Sequence, residues 1–203
     1  ELDQKMEVLD KKSNELSKLR KSTALSLSSK IVSELKFLGM GKSVFEVNFD
    51  TEEKDGQLLY SEKGIDKVKF MMSANPGEPL KPLSKIASGG EISRIMLAIK
   101  TVLAHTDKIP SLIFDEIDTG ISGKAAQAVA EKLNQISLSH QVICVTHLPQ
   151  IAVMADKHFY IEKVSSSRTT RTTVKELSSD TQAEEIARML GGAKITELTL
   201  KHA

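Results

Sequence analysis

Two short, largely apolar segments limit the possible fold of this chain more than any other feature. The first, SLIF, covers residues 111–114, and the second, VICV, covers residues 142–145. Between them, apolar residues recur at helical spacing from 125 to 136, which predicts a connecting helix. Two apolar strands joined by a helix are typical of a parallel βαβ unit that is buried on both faces. The sequence therefore predicts an α/β fold, with functional side chains at the carboxyl ends of these strands.

Polar side chains suited to catalysis follow both predicted strands. Asp115 and Glu116 come directly after SLIF, and Thr146 and His147 come directly after VICV. Because neighbouring parallel strands end at the same edge of a sheet, we expect His147 to emerge beside the two carboxylates. Such a carboxylate pair can hold Mg²⁺ and a water against a phosphate. Taken alone, each group has an ordinary alternative, an acidic turn or a structural histidine.

The first 36 residues predict a long helix with an apolar seam. Leu2, Leu9 and Leu16 recur every seven residues, with Met6 at the alternating position. This seam of about two heptads favours either a coiled coil or a surface helix with one apolar stripe. Glycines at 39 and 41 are the predicted stop signals of the helix.

A two-residue period follows the helix and predicts a β-meander. Apolar residues alternate across 44–49, QLLY occupies residues 57–60 after the turn Lys54-Asp55-Gly56, and a third segment covers 68–72. The stretch 73–82 contains three prolines and a glycine, which predicts a loop.

The motif Ser88-Gly89-Gly90-Glu91 precedes an apolar helical stripe and allows two interpretations. As a capping box, Ser88 and Glu91 would satisfy the unpaired amides of the helix start. That interpretation does not explain the two glycines, which cost helix stability relative to alanine. Glycines in a first turn let the backbone N–H groups and the positive end of the helix dipole approach a phosphate.

The chain contains no P-loop of its own. Gly41-Lys42-Ser43 has the ending of the GxxxxGK[ST] motif, but Lys36 stands where the first glycine is required. The context is also reversed, because a P-loop follows a strand and opens a helix, whereas this segment follows a helix and opens a strand. The phosphate that the residues at 88–91 would bind is therefore expected to be held elsewhere.

Composition indicates an ordinary folded protein whose net charge is too small to attract nucleic acid over its whole surface. The 203 residues carry a net charge of +1, so any DNA contact needs a local patch. Arg168, Arg171 and Lys175 provide a small basic cluster on a predicted hairpin, for which a solvated tip is the alternative. A last helix is predicted at 183–190. The single Cys144, inside an apolar run, suggests a reducing compartment.

The chain lacks the features of membrane or exported proteins. It has no apolar stretch of membrane-spanning length, and its first residues lack the apolar core of a signal peptide. It begins without Met inside a polar helical pattern, which suggests a piece of a longer polypeptide. The default expectation is a cytoplasmic protein.

Four motifs occur in an order that resembles the carboxyl-terminal half of an ABC-type ATPase. They are similar to the signature motif, the Walker B strand, the D-loop and the switch histidine, and read ASGGE (87–91), SLIFDE (111–116), IDTGIS (117–122) and VICVTH (142–147). A coiled-coil-like helix in front of these motifs is typical of the SMC-like branch of these ATPases, which the chain resembles. The sequence of residues 75–203 resembles that of the RecN family within that branch. This resemblance includes Ser122, at the position where the general D-loop ends in Asp.

This resemblance implies an architecture of two parts. Residues 1–36 would be the stub of a descending coiled-coil helix, and residues 37–203 would be the carboxyl-terminal lobe of an ATPase head whose P-loop lobe is absent. The implied fold class is α/β, a lobe with a mixed or parallel sheet and flanking helices, plus the amino-terminal β-meander and the coiled-coil-like helix.

The resemblance also implies residue roles at an ATP site shared by two heads. Asp115 would help to hold Mg²⁺ through water, Glu116 would polarise the attacking water, and His147 would sense the γ-phosphate. The signature residues would act in trans, on ATP held by the opposite head, and the D-loop would line the dimer interface. The signature residues are Ser88, Gly89, Gly90 and Glu91. The D-loop residues are Asp118, Thr119 and Gly120.

The implied partners are the P-loop lobe of the same protein, a second head and DNA, without a membrane. The implied cellular role is repair of DNA double-strand breaks by recombination, at the bacterial nucleoid. The chain alone is expected not to hydrolyse ATP, because the P-loop is missing. Alternatives are another SMC-type head, a transporter cassette, which the coil-like helix and DTGIS disfavour, and a non-catalytic interaction module.

Overall fold

A computed structural model describes residues 1–86, 88–104, 106–165 and 169–192. The chain divides into two compact units, Glu1–Asp107 and Lys108–Ala203. The structure confirms a mixed helix and strand fold. Within the described ranges, no helix is long and apolar enough to cross a membrane.

The first unit begins with one long helix, α1, which covers Leu2–Phe37. The Met40 amide donates to the Leu35 carbonyl at 2.8 Å, the Gly39 amide donates to the Lys36 carbonyl, and Gly39 has a φ of 83°. These two bonds with a left-handed glycine are the Schellman arrangement that ends helices. The predicted stop signal at Gly39 is confirmed.

One face of α1 is exposed in the first turns of the helix and buried from Ser13 onward. Ala24, Ile31 and Leu35 are buried, whereas Leu2 and Met6 are 75% and 44% exposed. These residues recur at spacings of four and seven, so they share a side of the helix. The apolar seam of the first turns therefore has no covering layer among the described residues.

An antiparallel sheet packs beside α1. It contains β1 (Val44–Thr51), β4 (Asp66–Ser73) and β5 (Lys81–Pro82), in the order β1-β4-β5. Between β1 and β4, the strands β2 (Glu53–Lys54) and β3 (Gln57–Leu58) form a separate small hairpin.

This topology differs from a simple meander through QLLY. Only Gln57 and Leu58 are strand, and they pair with Lys54 and Glu53 rather than with β1 or β4. The Asp-Gly turn explains the difference. Asp55 and Gly56 both have positive φ, which closes a tight two-residue hairpin on the nearest residues. A 3₁₀ turn at Leu83–Lys85 and helix α2 (Gly89–Leu103) complete the unit.

Asp66 at the start of β4 joins the sheet to α1. Its carboxylate accepts a hydrogen bond from the Ser17 hydroxyl at 2.7 Å and one from the Arg20 guanidinium at 3.1 Å. The side chain is 2% exposed. Burial alone would raise the pKa of this carboxyl, but the bonds from Ser17 and Arg20 outweigh burial and lower the pKa below its usual value.

The second unit contains the predicted βαβ arrangement. Strands β6 (Ser111–Phe114) and β7 (Gln141–Cys144) pair in parallel, and helix α3 (Gly123–Ser137) connects them. Leu112 and Phe114 are buried, as is the apolar stripe of α3. The parallel pairing that the apolar runs predict is confirmed.

The expectation that β6 and β7 are buried on both faces is wrong for this chain. Ile113 is 72% exposed, and Ile143 and Val145 are each 48% exposed. Alternate residues of a strand point to opposite faces, so these three share the side away from Leu112 and Phe114. The described residues cover only one side of this two-stranded sheet.

The rest of the second unit consists of two short helices and a hairpin. Helix α4 covers Pro149–Ala152, strands β8 (Phe159–Ser165) and β9 (Thr170–Glu176) form the antiparallel hairpin, and helix α5 covers Ser179–Gly191. Arg171 and Lys175 are exposed on β9, whereas Arg168 of the predicted basic cluster lies outside the described residues. Residues 193–203, the end of the stretch that resembles RecN, also lie outside them.

Candidate functional site

The two carboxylates Asp115 and Glu116 follow β6 in an unusual backbone conformation. The Glu116 amide donates to Asp115 Oδ1 at 2.9 Å, and Glu116 has a φ of 58°. A left-handed conformation costs a residue with a Cβ about 1–2 kcal/mol. Strain of this kind persists where the surrounding loop fixes it, and it is concentrated at functional sites. Both side chains are exposed at the end of the strand.

The end of β7 lies beside the end of β6. The Val145 amide donates to the Phe114 carbonyl at 2.9 Å, which continues the parallel pairing one residue past β7. Thr146 and His147 come next in the chain. The two loops that carry the predicted catalytic residues therefore leave the same edge of the sheet.

Asp118 connects these two loops through one oxygen. Its Oδ2 accepts hydrogen bonds from Thr146 Oγ1 at 2.6 Å and from the His147 amide at 2.8 Å. His147 Nδ1 lies 2.9 Å from the same oxygen. The Asp118 side chain is 4% exposed, whereas the His147 side chain is 72% exposed. The buried Asp118 carboxylate thus contacts the exposed imidazole of His147.

The three D-loop residues differ in their environment. Thr119 and Gly120 are exposed, as the expected interface position requires, but Asp118 is turned inward to Thr146 and His147. The pairing of Asp118 with His147 links positions 29 apart in the chain, and sequence reasoning missed it. No spacing rule connects two loops, and an Asp within a motif gives no sign of the direction of its side chain.

Ser88 starts helix α2 in the first unit but does not cap it. Ser88 has the extended conformation of an N-cap residue, with φ −87° and ψ 118°, and its side chain makes no cap hydrogen bond. The capping box is therefore not formed. Ser88 and Gly89 are exposed and Gly90 is buried, and Ala87 lies outside the described residues. The start of α2 thus keeps its first-turn amides without a serine cap.

Cys144 at the end of β7 is not a reactive thiol. Burial raises its pKa to about 12, and the negative charges of Asp118 and Asp115 add to this effect. A thiol that stays protonated at neutral pH is a poor nucleophile. Cys144 is half-buried, and a protonated thiol in this environment is expected to be inert.

A metal at this edge of the sheet would need ligands from outside the chain. Among the residues that the structure describes, no three His, Cys, Asp or Glu side chains are grouped so that they could hold a metal ion. Mg²⁺ is usually held by one or two carboxylates together with substrate phosphates. An exposed Asp115 at a strand end is consistent with that mode of binding and not with a metal cage of protein ligands.

Comparison with known proteins gives a consistent set of relatives, although no protein-family model matches the chain. The chain is 49% identical to the DNA repair protein RecN of Halalkalibacterium halodurans, over 96% of this chain and 34% of that protein. It is also 49% identical to RecN of Bacillus subtilis, over 93% of this chain and 34% of that protein. RecN of Vibrio cholerae is 40% identical over 94% of this chain.

Solved structures with a similar fold are SMC heads. The Smc head domain of Pyrococcus furiosus, with an extended coiled coil and bound to the C-terminal domain of ScpA, superposes with a TM-score of 0.55 at 19% identity. The match covers 93% of this chain and 43% of that one. The Smc head of Pyrococcus yayanosii, with a coiled coil and joint, gives a TM-score of 0.54 at 19% identity, over 83% of this chain and 29% of that one.

These matches define the class of protein first. The fold is similar to that of Smc head domains that were solved together with a coiled coil. Within that class, the chain belongs to the RecN family, as its identity to several RecN proteins shows. It spans about a third of the length of these relatives.

Proposed function

We propose that this chain is the carboxyl-terminal lobe of a RecN-type ATPase head that acts in the repair of DNA double-strand breaks. The observation that carries the proposal is the pair of loops at the ends of β6 and β7. Glu116 is held there in a strained conformation next to Asp115, and His147 stands exposed on the neighbouring loop. The relatives that match nearly the whole chain are named DNA repair proteins.

The roles of the residues follow from their chemistry. Asp115 would hold Mg²⁺ through water, and the metal would neutralise charge on the phosphates of ATP. Glu116 would accept a hydrogen bond from the attacking water and orient it. His147 would meet the γ-phosphate through the ring nitrogen that faces solvent. Thr119 and Gly120 would line the contact with a second head.

The start of α2 would act on a nucleotide that another head holds. The sequence contains no P-loop, so this chain lacks the usual cradle for the phosphates. Ser88 leaves the first-turn amides without a side-chain cap, and Gly89 presents no side chain that would keep a phosphate away. Both features support binding in trans by Ser88, Gly89, Gly90 and Glu91.

The P-loop lobe of the same protein is the proposed partner of the open face of β6 and β7. Three large apolar residues, Ile113, Ile143 and Val145, are exposed on one side of β6, β7 and the residue that follows β7. Burial of apolar area stabilises by about 25 cal/mol per Å², so this face favours a covering layer. About two thirds of the length of the RecN relatives lies beyond their match with this chain, which leaves room for such a lobe.

The division into residues 1–36 as a coiled-coil stub and 37–203 as the head lobe is part of the same proposal. Leu2, Met6 and Leu9 are exposed along one side of α1, as a seam without its second helix would be. A second strand of the coil would bury these residues.

DNA binding is supported by the names of the relatives and less by the surface of this chain. Arg171 and Lys175 lie on alternate residues of β9, so they share one face of the hairpin. Two cations would contribute only a modest, salt-dependent attraction to DNA. We place the protein at the bacterial nucleoid in the cytoplasm, because its relatives are DNA repair proteins.

An ATPase assay tests the proposal. This chain alone should not hydrolyse ATP, and a mixture with a separately produced polypeptide that carries the P-loop part should hydrolyse it. In the mixture, Glu116→Gln should lower kcat by about 10²–10⁴-fold, the range for loss of a positioned acid–base group. The matched control is Glu131→Gln on α3, which lies outside the proposed site and should leave the rate unchanged.

The possible results separate parts of the proposal. Hydrolysis by this chain alone would contradict a site split between two polypeptides. Activity of the mixture that survives Glu116→Gln would remove Glu116 from its role and leave the split site intact. A mixture that forms a stable complex but has no activity would contradict the ATPase function.

A further inference from the structure

The environment of Asp118 is not explained by a role in an interface. Its side chain is almost fully enclosed, yet its Oδ2 accepts hydrogen bonds from the Thr146 hydroxyl and the His147 amide, both on the loop after β7. A carboxylate that is removed from water needs strong partners. Asp118 obtains them from the loop that carries His147, so the loop after β6 holds the loop after β7.

His147 approaches Asp118 Oδ2 twice, through its backbone amide and through its ring. The backbone amide of His147 lies at 2.8 Å and its Nδ1 at 2.9 Å. An ionised carboxylate offers only acceptor oxygens, so a contact at this distance favours the form of the ring in which Nδ1 carries the hydrogen. The partner of one imidazole nitrogen thereby determines which nitrogen is left for chemistry.

We propose that Asp118 is a positioning residue that fixes the Nδ1–H form of His147 and turns Nε2 of the exposed ring toward the γ-phosphate. This inference rests on the ATPase function proposed above and adds a third residue to Glu116 and His147. In the neutral ring Nε2 is an acceptor. When the ring is protonated, Nε2 donates to a phosphate oxygen, and the adjacent Asp118 carboxylate stabilises the charge.

Thr146 distinguishes this role from a purely structural one. Its hydroxyl donates to the same Asp118 oxygen at 2.6 Å and accepts from the Leu148 amide at 3.0 Å. Thr146 therefore links the two loops through its hydroxyl. Removing that hydroxyl perturbs the link but leaves the contact between Nδ1 and Asp118 available.

The first test measures the tautomer of His147 directly, by ¹⁵N NMR of this chain at alkaline pH without nucleotide. The signals are assigned by their loss in His147→Gln. We expect the Nδ1–H form to dominate in the unchanged chain and in Thr146→Val, and to lose its dominance in Asp118→Asn. A dominant Nε2–H form in the unchanged chain would overturn the proposal, even if Asp118→Asn failed to fold.

The second test measures kinetics in the assembled head, meaning this chain mixed with the P-loop polypeptide. Asp118→Asn should lower kcat by about 10–100-fold, the range for partners that orient a functional histidine, and should change KM for ATP by less than about twofold. Thr146→Val should have a smaller effect on kcat. Equal losses in the two variants, with the tautomer unchanged, would mean that Asp118 only braces the loops.

These outcomes are distinct from a failure of the proposed function. An unchanged mixture that does not hydrolyse ATP contradicts the function itself. An active mixture in which Asp118→Asn keeps full kcat contradicts only the positioning role.

Discussion

Asp66 and Asp118 are two enclosed carboxylates, one in each unit, and their partners show why each is present. Asp66 is 2% exposed and binds Ser17 and Arg20, a neutral and a permanently charged partner on α1. Asp118 is 4% exposed and binds an imidazole that is itself largely exposed. A carboxylate paired with arginine holds two elements together. Under the proposed function, the carboxylate beside the exposed histidine would instead position a group that meets ATP.

The largest effect on stability that this contrast predicts is at Asp66. Asp66→Ala should lower the free energy of unfolding by about 2 kcal/mol, because hydrogen bonds to a charged group contribute about 1.5–3 kcal/mol and Arg20 can still reach water. Chemical denaturation monitored by circular dichroism measures the change. The rate of ATP hydrolysis per folded molecule in the assembled head should stay the same, which is the opposite of the expectation for Asp118→Asn.

The pH dependence provides the control for Asp66. Its pKa in the folded chain lies below the usual 3.8, so its contribution is fully present above that value and is lost as the pH falls through the folded pKa. The difference in stability between the unchanged chain and Asp66→Ala should therefore shrink below about pH 4. A difference that is independent of pH would show that packing, and not the charged carboxylate, stabilises the junction.

A second pair of residues, compared by backbone conformation, also contrasts a structural position with a proposed functional one. Asp55 and Glu116 are the two non-glycine residues with positive φ in the described ranges, at 54° and 58°. Asp55 stands in an Asp-Gly hairpin turn, where this conformation is favoured. Glu116 has no such local reason, so Glu116→Gly should raise the free energy of unfolding by about 1 kcal/mol through relief of strain.

The gain from Glu116→Gly should come with loss of ATP hydrolysis. Thermal or chemical denaturation measures the first effect and the mixed ATPase assay the second. Asp55→Gly is the matched control, and it should change stability by only a few tenths of a kcal/mol because Asp tolerates this turn. A loss of stability in Glu116→Gly would mean that the loop uses the glutamate side chain for structure.

The sequence predicts the elements of this fold better than the contacts of its loops. Period and apolar runs predict α1 and the parallel pair β6 and β7, because backbone geometry sets the spacing of side chains that share one side of a helix or strand. The exposure of Ile113 was not predictable, since an apolar run looks the same whether its second cover belongs to the chain or to another part of the protein. The bond from His147 to Asp118 depends on side-chain direction in two loops, which no period encodes.

The smallest predicted effect compares two serines that begin helices. Ser178 starts α5 and its side chain accepts from the Thr181 amide at 3.5 Å, whereas Ser88 starts α2 without such a bond. Because the Ser178 bond is long, Ser178→Ala should lower the free energy of unfolding by only about 0.5 kcal/mol, the lower end of the range for a lost cap. Ser88→Ala should leave stability unchanged and lower ATP hydrolysis in the mixed assay, since its hydroxyl is available for a phosphate. Denaturation curves measure the stability of the two variants, and the mixed assay measures their rates of ATP hydrolysis.

If Ser88→Ala destabilised the chain as much as Ser178→Ala and left the rate intact, the serine of α2 would be an ordinary cap. The phosphate-binding role would then pass to the glycines alone.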